Sequence, residues 1–272
     1  MKATIFELKR FADHDGDGIR TTVFFKGCPL RCVWCHNPEG LTALPQIAFY
    51  EHKCIGCGKC QKEDFNPDAC LGEARVLYGK EMTVEELLPL LLEDREFYET
   101  SGGGVTLSGG ECLVQSEFCA ELLKRLKENG IQTAVDTCGF VPREALDKVI
   151  PFTDVFLYDI KAYDEDVHIR CTERSNKIIL ENLKYLDEQG KTVEIRIPYV
   201  PDYNDREIEK IAHFLKDFTH ISRIRVLPYH NYAGSKYRAL GMKHSLPERL
   251  PTDEELKSAK EILRCITKIS CP

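Results

Sequence analysis

The spacing of hydrophobic residues changes back and forth between two periods along most of this chain. Short runs rich in β-branched and aromatic residues are "TTVFFKG" (21–27), "GVTLSGG" (104–110), "IQTAVDTCG" (131–139), "DVFLYDIKA" (154–162), "TVEIRIPYV" (192–200) and "RIRVLPYH" (223–230). Their length and composition predict six β-strands.

Between these runs, apolar residues recur at helical spacing. The stretch 83–101 opens with Thr83 and carries Glu86 three residues later, which is the pattern of a capping box. We therefore predict a helix over 83–101. Further helices are predicted over 115–130 and 176–190, which both end at a glycine, and over 205–218 and 252–266.

Alternating strands and helices predict βαβ units around a parallel sheet. An open doubly wound sheet and an incomplete barrel both fit, and both place ligands at the carboxyl ends of the strands. Five of the six predicted strands end in a polar or glycine-containing cluster, namely "KGC", "SGGE", "DTCG", "DIK" and "PYH". We expect these strand ends to form one site.

Residues 41–80 depart from this pattern, because they contain "CIGCGKCQKEDFNPDAC" and little periodicity. We interpret them as an insertion that metal holds together rather than a hydrophobic core. The predicted organisation is a main domain of residues 1–40 and 81–272, with a small insertion at 41–80.

Composition narrows the class of protein. The chain has 272 residues, of which 43% are hydrophobic and 30% charged, as is usual for a globular protein. It lacks an apolar run of about 18 residues, and the N-terminal "MKATIFELKRF" is too charged for a secretory signal. We expect a cytoplasmic protein without a membrane partner. The net charge of −7 argues against nucleic-acid binding.

Thirteen cysteines are unusual in such a chain, and seven of them lie between positions 28 and 70. Because thiols stay reduced in the cytosol, clustered cysteines there indicate metal ligands rather than disulfides. We expect most of the remaining six to be small buried hydrophobic residues. These six are Cys112, Cys119, Cys138, Cys171, Cys265 and Cys271.

The first cysteine set offers three thiolates, Cys28, Cys32 and Cys35. A structural zinc site and a [4Fe–4S] cluster both normally take four protein ligands. Three thiolates on a cluster leave one iron open to a substrate with an amine and a carboxylate. The alternative is a zinc site completed by His36.

The motif "KGCPLRCVWCHNPEG" resembles the cluster loop of the radical S-adenosylmethionine (SAM) superfamily. It is most similar to the activating enzymes of glycyl radical enzymes, such as the pyruvate formate-lyase activating enzymes. The preceding "DGDGIRTTVFFKG" resembles the lead-in of that family, with Asp17 where a proline is usual. The resemblance covers nearly the whole chain. It implies a partial (β/α)6 TIM-like barrel, the radical SAM fold, with a small ferredoxin-like Fe–S insertion.

The resemblance also implies roles for individual residues. Cys28, Cys32 and Cys35 would ligate the cluster, and Trp34 would pack near the adenine. The other implied SAM contacts are His36, Gly109, Gly110, Glu111, Asp136, Thr137, Asp159, Ile160, Lys161, Arg196 and His230. Among these, Asp136, Thr137 and Asp159 match a site for a monovalent cation.

The reaction implied by this resemblance starts when the reduced cluster passes one electron to the SAM sulfonium. The resulting 5′-deoxyadenosyl radical takes a hydrogen atom from the α-carbon of a glycine in a partner enzyme. The partner is thus a glycyl radical enzyme, with flavodoxin or ferredoxin as the electron donor, and we expect the activating protein itself to be a monomer.

The second cysteine set comprises Cys54, Cys57, Cys60 and Cys70, and its spacing resembles the bacterial ferredoxin run. Many glycyl radical activating enzymes carry two such quartets, whereas this chain has no second string. We therefore expect one auxiliary [4Fe–4S] cluster, which relays electrons or shapes the docking surface for the partner. Zinc bound by the same four cysteines is the alternative.

Other motifs and functions are less well supported. "DHDGDG" (13–18) matches the start of an EF-hand loop, but Phe24 stands where a bidentate glutamate is needed, so a turn is the better interpretation. "SGGG" (101–104) lacks the Gly-Lys-Ser/Thr of a P-loop. A ferredoxin-like carrier would not need 200 further residues. A radical SAM enzyme acting on a small molecule stays as the alternative.

Overall fold

The computed structural model describes residues 1–61, 65–243 and 246–272. Its strands are β1 (Lys2–Ala12), β2 (Arg20–Phe25), β3 (Gln46–Phe49), β4 (Arg75–Tyr78), β5 (Lys80–Thr83), β6 (Gly104–Gly109), β7 (Gln132–Thr137), β8 (Val155–Asp159), β9 (Val193–Tyr199) and β10 (Ile221–Pro228). Its α-helices are α1 (Val84–Leu92), α2 (Arg95–Ser101), α3 (Ser116–Glu128), α4 (Arg143–Val149), α5 (Glu165–Thr172), α6 (Lys177–Glu188), α7 (Ile208–Leu215), α8 (Gly234–Ala239) and α9 (Asp253–Thr267).

Six neighbouring strands of the large sheet are parallel, in the order β10-β9-β8-β7-β6-β2. These are the six strands that the sequence predicts, and the parallel α/β arrangement is confirmed. The described sheet ends at β10 on one side and at β5 on the other, so it is open, as in a partial barrel. Because all six strands run the same way, their carboxyl ends meet along one edge.

Two antiparallel strands extend this sheet beyond β2, and neither was predicted. Strand β1 pairs with β2, and β5 pairs with β1. Strand β1 buries Ala3, Ile5 and Phe6 even though its sequence carries several charges. Its alternation is interrupted by irregular pairing with β2, which hides the strand pattern in the sequence.

The helix predicted over 83–101 is two helices, α1 and α2. The capping box at Thr83 and Glu86 is present as predicted. The break comes at Asp94, whose side chain is buried, accepts a hydrogen bond from Thr21 Oγ1 at 2.7 Å and pairs with Arg10. A tertiary ion pair thus overrides the helical periodicity at this position.

The segment 41–80 is more regular than its sequence suggests. Strands β3 and β4 form an antiparallel pair in which Gln46 lies opposite Tyr78 and Phe49 lies opposite Arg75. The second cysteine set lies in the long connection between these strands. The division into 1–40 with 81–272 and 41–80 stays a prediction.

The core lies between the sheet and the helices that connect its strands. Phe25, Val135 and Ile195 on three different strands are fully buried, as are Leu122 and Leu183 on helices α3 and α6. Within the described ranges, every helix is too short or too polar to cross a bilayer.

Candidate functional site

The loop carrying the first three cysteines leaves the carboxyl end of β2 and is held by main-chain hydrogen bonds. Arg31 N donates to Thr172 O and Val33 N to Cys171 O, both at 2.9 Å, so the loop is fixed to the end of α5. Before Cys28, Gly27 adopts a φ of +95°, which favours glycine. The loop is therefore held in place at the edge where the parallel strands end.

The three thiols influence one another. Burial raises the pKa of Cys32 well above its usual range, and Cys28 and Cys35 raise it further, while the nearby Lys161 ammonium opposes them. Burial also raises the pKa of Cys35 to about 11. Thiolates this close and this desolvated need a cationic centre to stay ionised. The donor set thus fits an iron–sulfur group.

Charged side chains from neighbouring strand ends meet beside this loop. Lys161 Nζ lies 2.5 Å from Asp159 Oδ2, and Arg196 Nη1 lies 3.1 Å from Asp136 Oδ2. Ser108 Oγ donates to the same Asp136 oxygen at 2.7 Å. The expected convergence of the strand ends is therefore observed, and it brings both signs of charge into one place.

Burial sets the protonation of this charged group. It raises the pKa of Asp136 to about 6, although Arg196 pulls it down. For Lys161, burial lowers the pKa, but the Asp159 carboxylate more than compensates and the net shift is upward. Lys161 and Arg196 are thus permanent cations at neutral pH.

Asp15 belongs to the same site, and sequence reasoning missed it. Its Oδ1 lies 3.5 Å from Arg196 Nη2, and its Oδ2 accepts a hydrogen bond from Thr22 Oγ1 at 2.8 Å. Asp17 turns instead toward Arg223, so the acids of "DHDGDG" do not share one point. The local pattern could not reveal this, because Arg196 is 181 residues away.

The two glycines of "SGGE" allow close packing of the backbone and leave no empty space beside it. A Cβ on Gly109 would lie 2.2 Å from Phe25 N, and one on Gly110 would lie 2.4 Å from Gly40 O. Both glycines thus allow β6 to pack against β2 and the end of the cysteine loop. Contact of these glycines with the SAM amino group stays a prediction.

Glu111 is buried and occupied within the protein. Its carboxylate accepts hydrogen bonds from Leu113 N at 3.1 Å, Cys138 N at 2.8 Å and Thr137 Oγ1 at 2.9 Å. Thr137, an expected cation ligand, therefore directs its hydroxyl proton to Glu111.

Aromatic rings form a stack on one side of the site. The rings of His36 and His230 are parallel to within 11° with centroids 4.0 Å apart, and Tyr232 stacks on His230 at 4.6 Å. Trp34 is buried and meets Tyr203 edge-on at 6.3 Å. Burial lowers the pKa of His36 to about 4, so that ring is neutral. The faces of His230 are covered by His36 and Tyr232, so contact of these histidines with the nucleoside stays a prediction.

Two lysine side chains bind the segment just after Cys35, and the sequence analysis predicted a role for neither of them. Lys236 Nζ pairs with Glu39 Oε1 and lies 3.3 Å from Asn37 Oδ1. Lys26 Nζ donates to Glu39 O at 2.5 Å. Glu39 itself is only 1% exposed. This network ties the cysteine loop to β2 and α8.

All four cysteines of the second set line one cavity, together with Phe65 and Arg75. Backbone N–H groups of Arg75, Ala74 and Gly72 point toward the Cys70 sulfur and lower its pKa. Gly56 and Gly58, between the cysteines, have φ values of +67° and +68°. Such N–H donors stabilise a thiolate ligand, and the donor set fits a cluster.

Five of the six dispersed cysteines are buried as expected, and Cys265 is exposed. Cys112 is one of the buried ones. Cys138 is different from the others, because its thiol hydrogen-bonds the side chain of Cys28 and thereby lowers the Cys28 pKa.

Comparison with known proteins agrees with this geometry. The family model described as "Radical SAM superfamily" matches residues 22–215. A radical SAM methyltransferase from Sphaerobacter thermophilus aligns with 99% of this chain and 72% of its own at a TM-score of 0.59, with 18% identity, which speaks for the fold alone. A domain of pyruvate-formate lyase-activating enzyme from Bacteroides vulgatus aligns with 62% of this chain and 98% of its own at a TM-score of 0.53 and 31% identity.

Several relatives match over nearly the full length. The trans-4-hydroxy-L-proline dehydratase activating enzyme of Clostridioides difficile is 39% identical over 96% of both chains. The choline trimethylamine-lyase activating enzyme of Oleidesulfovibrio alaskensis is 38% identical over 100% of this chain and 97% of its own. The pyruvate formate-lyase 2-activating enzyme of Escherichia coli is 36% identical over 96% and 89%. The chain thus belongs to the radical SAM superfamily and, within it, to the activating enzymes of glycyl radical enzymes.

Proposed function

We propose that this protein uses SAM and a [4Fe–4S] cluster to install a glycyl radical on a partner glycyl radical enzyme. The observation that carries the proposal is the meeting of three half-buried thiols, Cys28, Cys32 and Cys35, with oppositely charged side chains at the adjacent strand ends. SAM carries a carboxylate, an amine and a sulfonium, so its binding needs both signs of charge.

When bound, the cluster supplies the electron that cleaves SAM to methionine and a 5′-deoxyadenosyl radical. The chain's own side chains bind and orient. Lys161 and Arg196 would offer fixed positive charge to the SAM carboxylate and ribose. The backbone at Gly109 and Gly110 would hold the SAM amine. His36 and His230 are proposed to contact the nucleoside at the edge of the stack that they form with Tyr232.

We propose iron–sulfur clusters rather than zinc at both cysteine sets. Zinc binds thiolates at about 2.3 Å, so its ligands must converge on one point. Across the described ranges, no three His, Cys, Asp or Glu side chains come together in that way. A cubane keeps its ligands further apart.

The insertion is proposed to hold one auxiliary [4Fe–4S] cluster on Cys54, Cys57, Cys60 and Cys70, because all four line the same cavity. Its proposed role is to relay electrons or to shape the docking surface for the partner. After anaerobic reconstitution, about eight iron and eight sulfide per chain are expected for two [4Fe–4S] clusters. About four of each would contradict the second cluster.

A monovalent cation at Asp136, Thr137 and Asp159 is part of the same proposal. The two carboxylates support it, since they lie at neighbouring strand ends. SAM affinity is expected to depend on whether potassium, sodium or a bulky organic cation is supplied. Equal affinity in all three salts would contradict the cation site.

The remaining proposals concern surroundings and partners. We propose flavodoxin or ferredoxin as the electron donor, a monomeric state and a cytoplasmic location, with no nucleic-acid or membrane partner. The net charge of −7 supports the absence of a nucleic-acid partner.

The test is anaerobic activation of a glycyl radical enzyme, to be sought among neighbouring genes as a large enzyme with a C-terminal glycine-radical loop. Electron paramagnetic resonance should detect a glycyl radical only when SAM, reductant and this protein are all present. Cys32→Ala is expected to abolish both SAM cleavage and the radical, whereas Cys265→Ala, at an exposed cysteine outside the site, should retain both. Cleavage of SAM by Cys32→Ala would contradict the cluster assignment. Activity on a small molecule without a glycyl radical would favour the other radical SAM function.

A further inference from the structure

A cavity of about 340 Å³ opens between α5 and the chain that connects β9 to α7. Its volume is within the range of ligand sites, which runs from roughly 300 to 1,000 Å³. Small-molecule sites are lined mostly by apolar side chains, whereas most of the side chains around this cavity are charged. The charged ones are Arg170, Asp202, Asp205, Arg206, Glu207 and Lys210. The lining therefore favours a charged ligand.

The cavity lies beside the proposed SAM site, on the same edge of the sheet. Tyr203, on its wall, meets Trp34 of the cysteine loop edge-on, with ring centroids 6.3 Å apart. The wall after β9 is fixed to the charged site, because Asn204 Nδ2 donates to Lys161 O at 2.7 Å. The wall on α5 belongs to the helix whose end holds the cysteine loop. A ligand here would thus lie next to SAM without occupying its place.

Two of the six charged side chains are already neutralised within the protein. Glu207 is buried, accepts two main-chain hydrogen bonds at 2.7 and 3.0 Å, and pairs with Lys210 at 2.8 Å. Among the described residues, the two arginines have no ion-pair partner, and neither have the two aspartates. Arg249 is close to both aspartates, but it forms its ion pair with Glu255. Both signs of charge are therefore available to a ligand.

A ligand of one sign alone fits this lining poorly. The aspartates would repel an anion such as phosphate, and the arginines would repel a simple cation. A polypeptide segment with one acidic and one basic side chain satisfies both sets. The proposed function brings such a segment to this edge, because the chain around the partner's glycine must lie over the opening of the site.

We propose that this cavity binds a charged segment of the partner glycyl radical enzyme, beside its radical glycine. An acidic side chain of that segment pairs with Arg170 and Arg206, whose planar guanidinium groups bind carboxylates through two parallel hydrogen bonds. A basic side chain pairs with Asp202 or Asp205. This inference rests on the proposed function and names the place where its partner docks.

The experiment measures equilibrium binding of the reconstituted protein to the glycyl radical enzyme that the activation test identifies. Arg170→Glu combined with Arg206→Glu should weaken binding at least about tenfold, because like charges then meet. Arg170→Gln combined with Arg206→Gln only removes the attraction, so the loss should be smaller. Lys124→Glu combined with Lys257→Glu is the matched control. Both of these lysines are exposed and lie outside the cavity, and the change in net charge is the same.

Two further measurements separate docking from other effects. SAM cleavage with a chemical reductant and without the partner should keep its wild-type rate in both arginine variants, which also shows that they fold. Replacing the acidic side chains beside the partner's radical glycine by lysine should restore binding to Arg170→Glu combined with Arg206→Glu. The same replacement should weaken binding to the wild-type protein.

Four results would overturn the inference. Wild-type affinity in Arg170→Glu combined with Arg206→Glu would show that the partner does not use the cavity. An equal loss in the lysine control would show an effect of net charge alone. Loss of SAM cleavage in both arginine variants would show a role in the SAM site instead. Normal affinity with slower reduction by flavodoxin would assign the cavity to the electron donor. A wild-type protein that forms no glycyl radical on any partner would contradict the proposed function itself, which is a separate outcome.

Discussion

Lys236 and Glu39 are 197 positions apart in the chain and form an ion pair against the end of the cysteine loop. Glu39 is almost completely buried, and its Oε2 has no hydrogen-bond partner among the described residues. Lys236 therefore supplies the direct ion pair to this carboxylate, while Lys26 binds the backbone oxygen of the same residue. The C-terminal part of the chain, beginning with α8, thus supports the cofactor loop near the N-terminus.

Replacing Lys236 should destabilise the protein because a buried carboxylate loses its counter-charge. We expect Lys236→Met to lower the free energy of unfolding by about 2 kcal/mol, measured by urea denaturation of the cluster-free protein. Adding Glu39→Gln should restore part of the loss. Lys2→Met is the control, since the Lys2–Glu81 pair is exposed and should contribute less than about 1 kcal/mol. Equal losses in the two lysine variants would contradict the role of Lys236.

Gly110 is expected to tolerate no side chain. A methyl group there would meet Gly40 O at 2.4 Å and Gly27 O at 2.6 Å, both backbone atoms of the cysteine loop. Gly110→Ala should therefore cost about 2 kcal/mol of stability and reduce the iron bound after reconstitution. Gly130→Ala has open space around its Cβ and should lower stability by about 1 kcal/mol at unchanged iron content. Normal iron content in Gly110→Ala would show that the loop can shift.

Replacing Arg196 even by lysine should weaken SAM binding. It is 7% exposed and reaches both Asp136 and Asp15, which a lysine ammonium cannot do with the same geometry. We expect Arg196→Lys to weaken SAM binding at least about tenfold, or roughly 1.4 kcal/mol, measured by equilibrium binding to the reconstituted protein. Arg223→Lys, on the neighbouring strand β10 and paired with Asp17 and Glu194 instead, should bind SAM normally. Wild-type affinity in Arg196→Lys would exclude a direct role in SAM binding.

His168 should make stability depend on pH. Burial lowers its pKa, although the hydrogen bond to Arg174 O works in the other direction. The folded state thus binds this proton less readily than the unfolded state, so stability is lost as pH falls through the unfolded pKa of about 6.5. His36 and His230 contribute in the same direction, since burial lowers both of their pKa values.

The test is therefore a difference between variants. The unfolding free energy of His168→Gln should fall less between pH 7.5 and pH 5.5 than that of the wild type, by up to about 1.4 kcal/mol per pH unit. His213→Gln, at an exposed position on α7, should keep the wild-type slope. An unchanged slope in His168→Gln would show that another group causes the pH dependence of stability.

The sequence allowed prediction of features that are local or periodic. The six parallel strands follow from strand patterns, and the geometry of parallel sheets predicts that Asp136, Asp159 and Lys161 come together. Arg196 was named by the family resemblance, and it lies beside Asp136. Strand β1 was missed because its irregular pairing with β2 interrupts the alternation of buried and exposed residues. The break at Asp94 was missed because Arg10 and Thr21, its partners, lie on distant strands. Other features were missed for the same reason, because each joins segments that are far apart in the chain. They are Asp15, Glu39, Lys236 and the contact of Cys138 with Cys28.

The main-chain hydrogen bonds from Arg31 and Val33 to the end of α5 have a consequence for how the protein matures. Ordering a loop around a metal group costs conformational entropy, which lowers the affinity for that group. Here main-chain hydrogen bonds already order the loop of Cys28, Cys32 and Cys35. Cys54 and Cys57, by contrast, lie exposed in an irregular connection. The two cysteine sets should consequently differ in how readily they take up and lose iron, with the proposed auxiliary site filling last and emptying first.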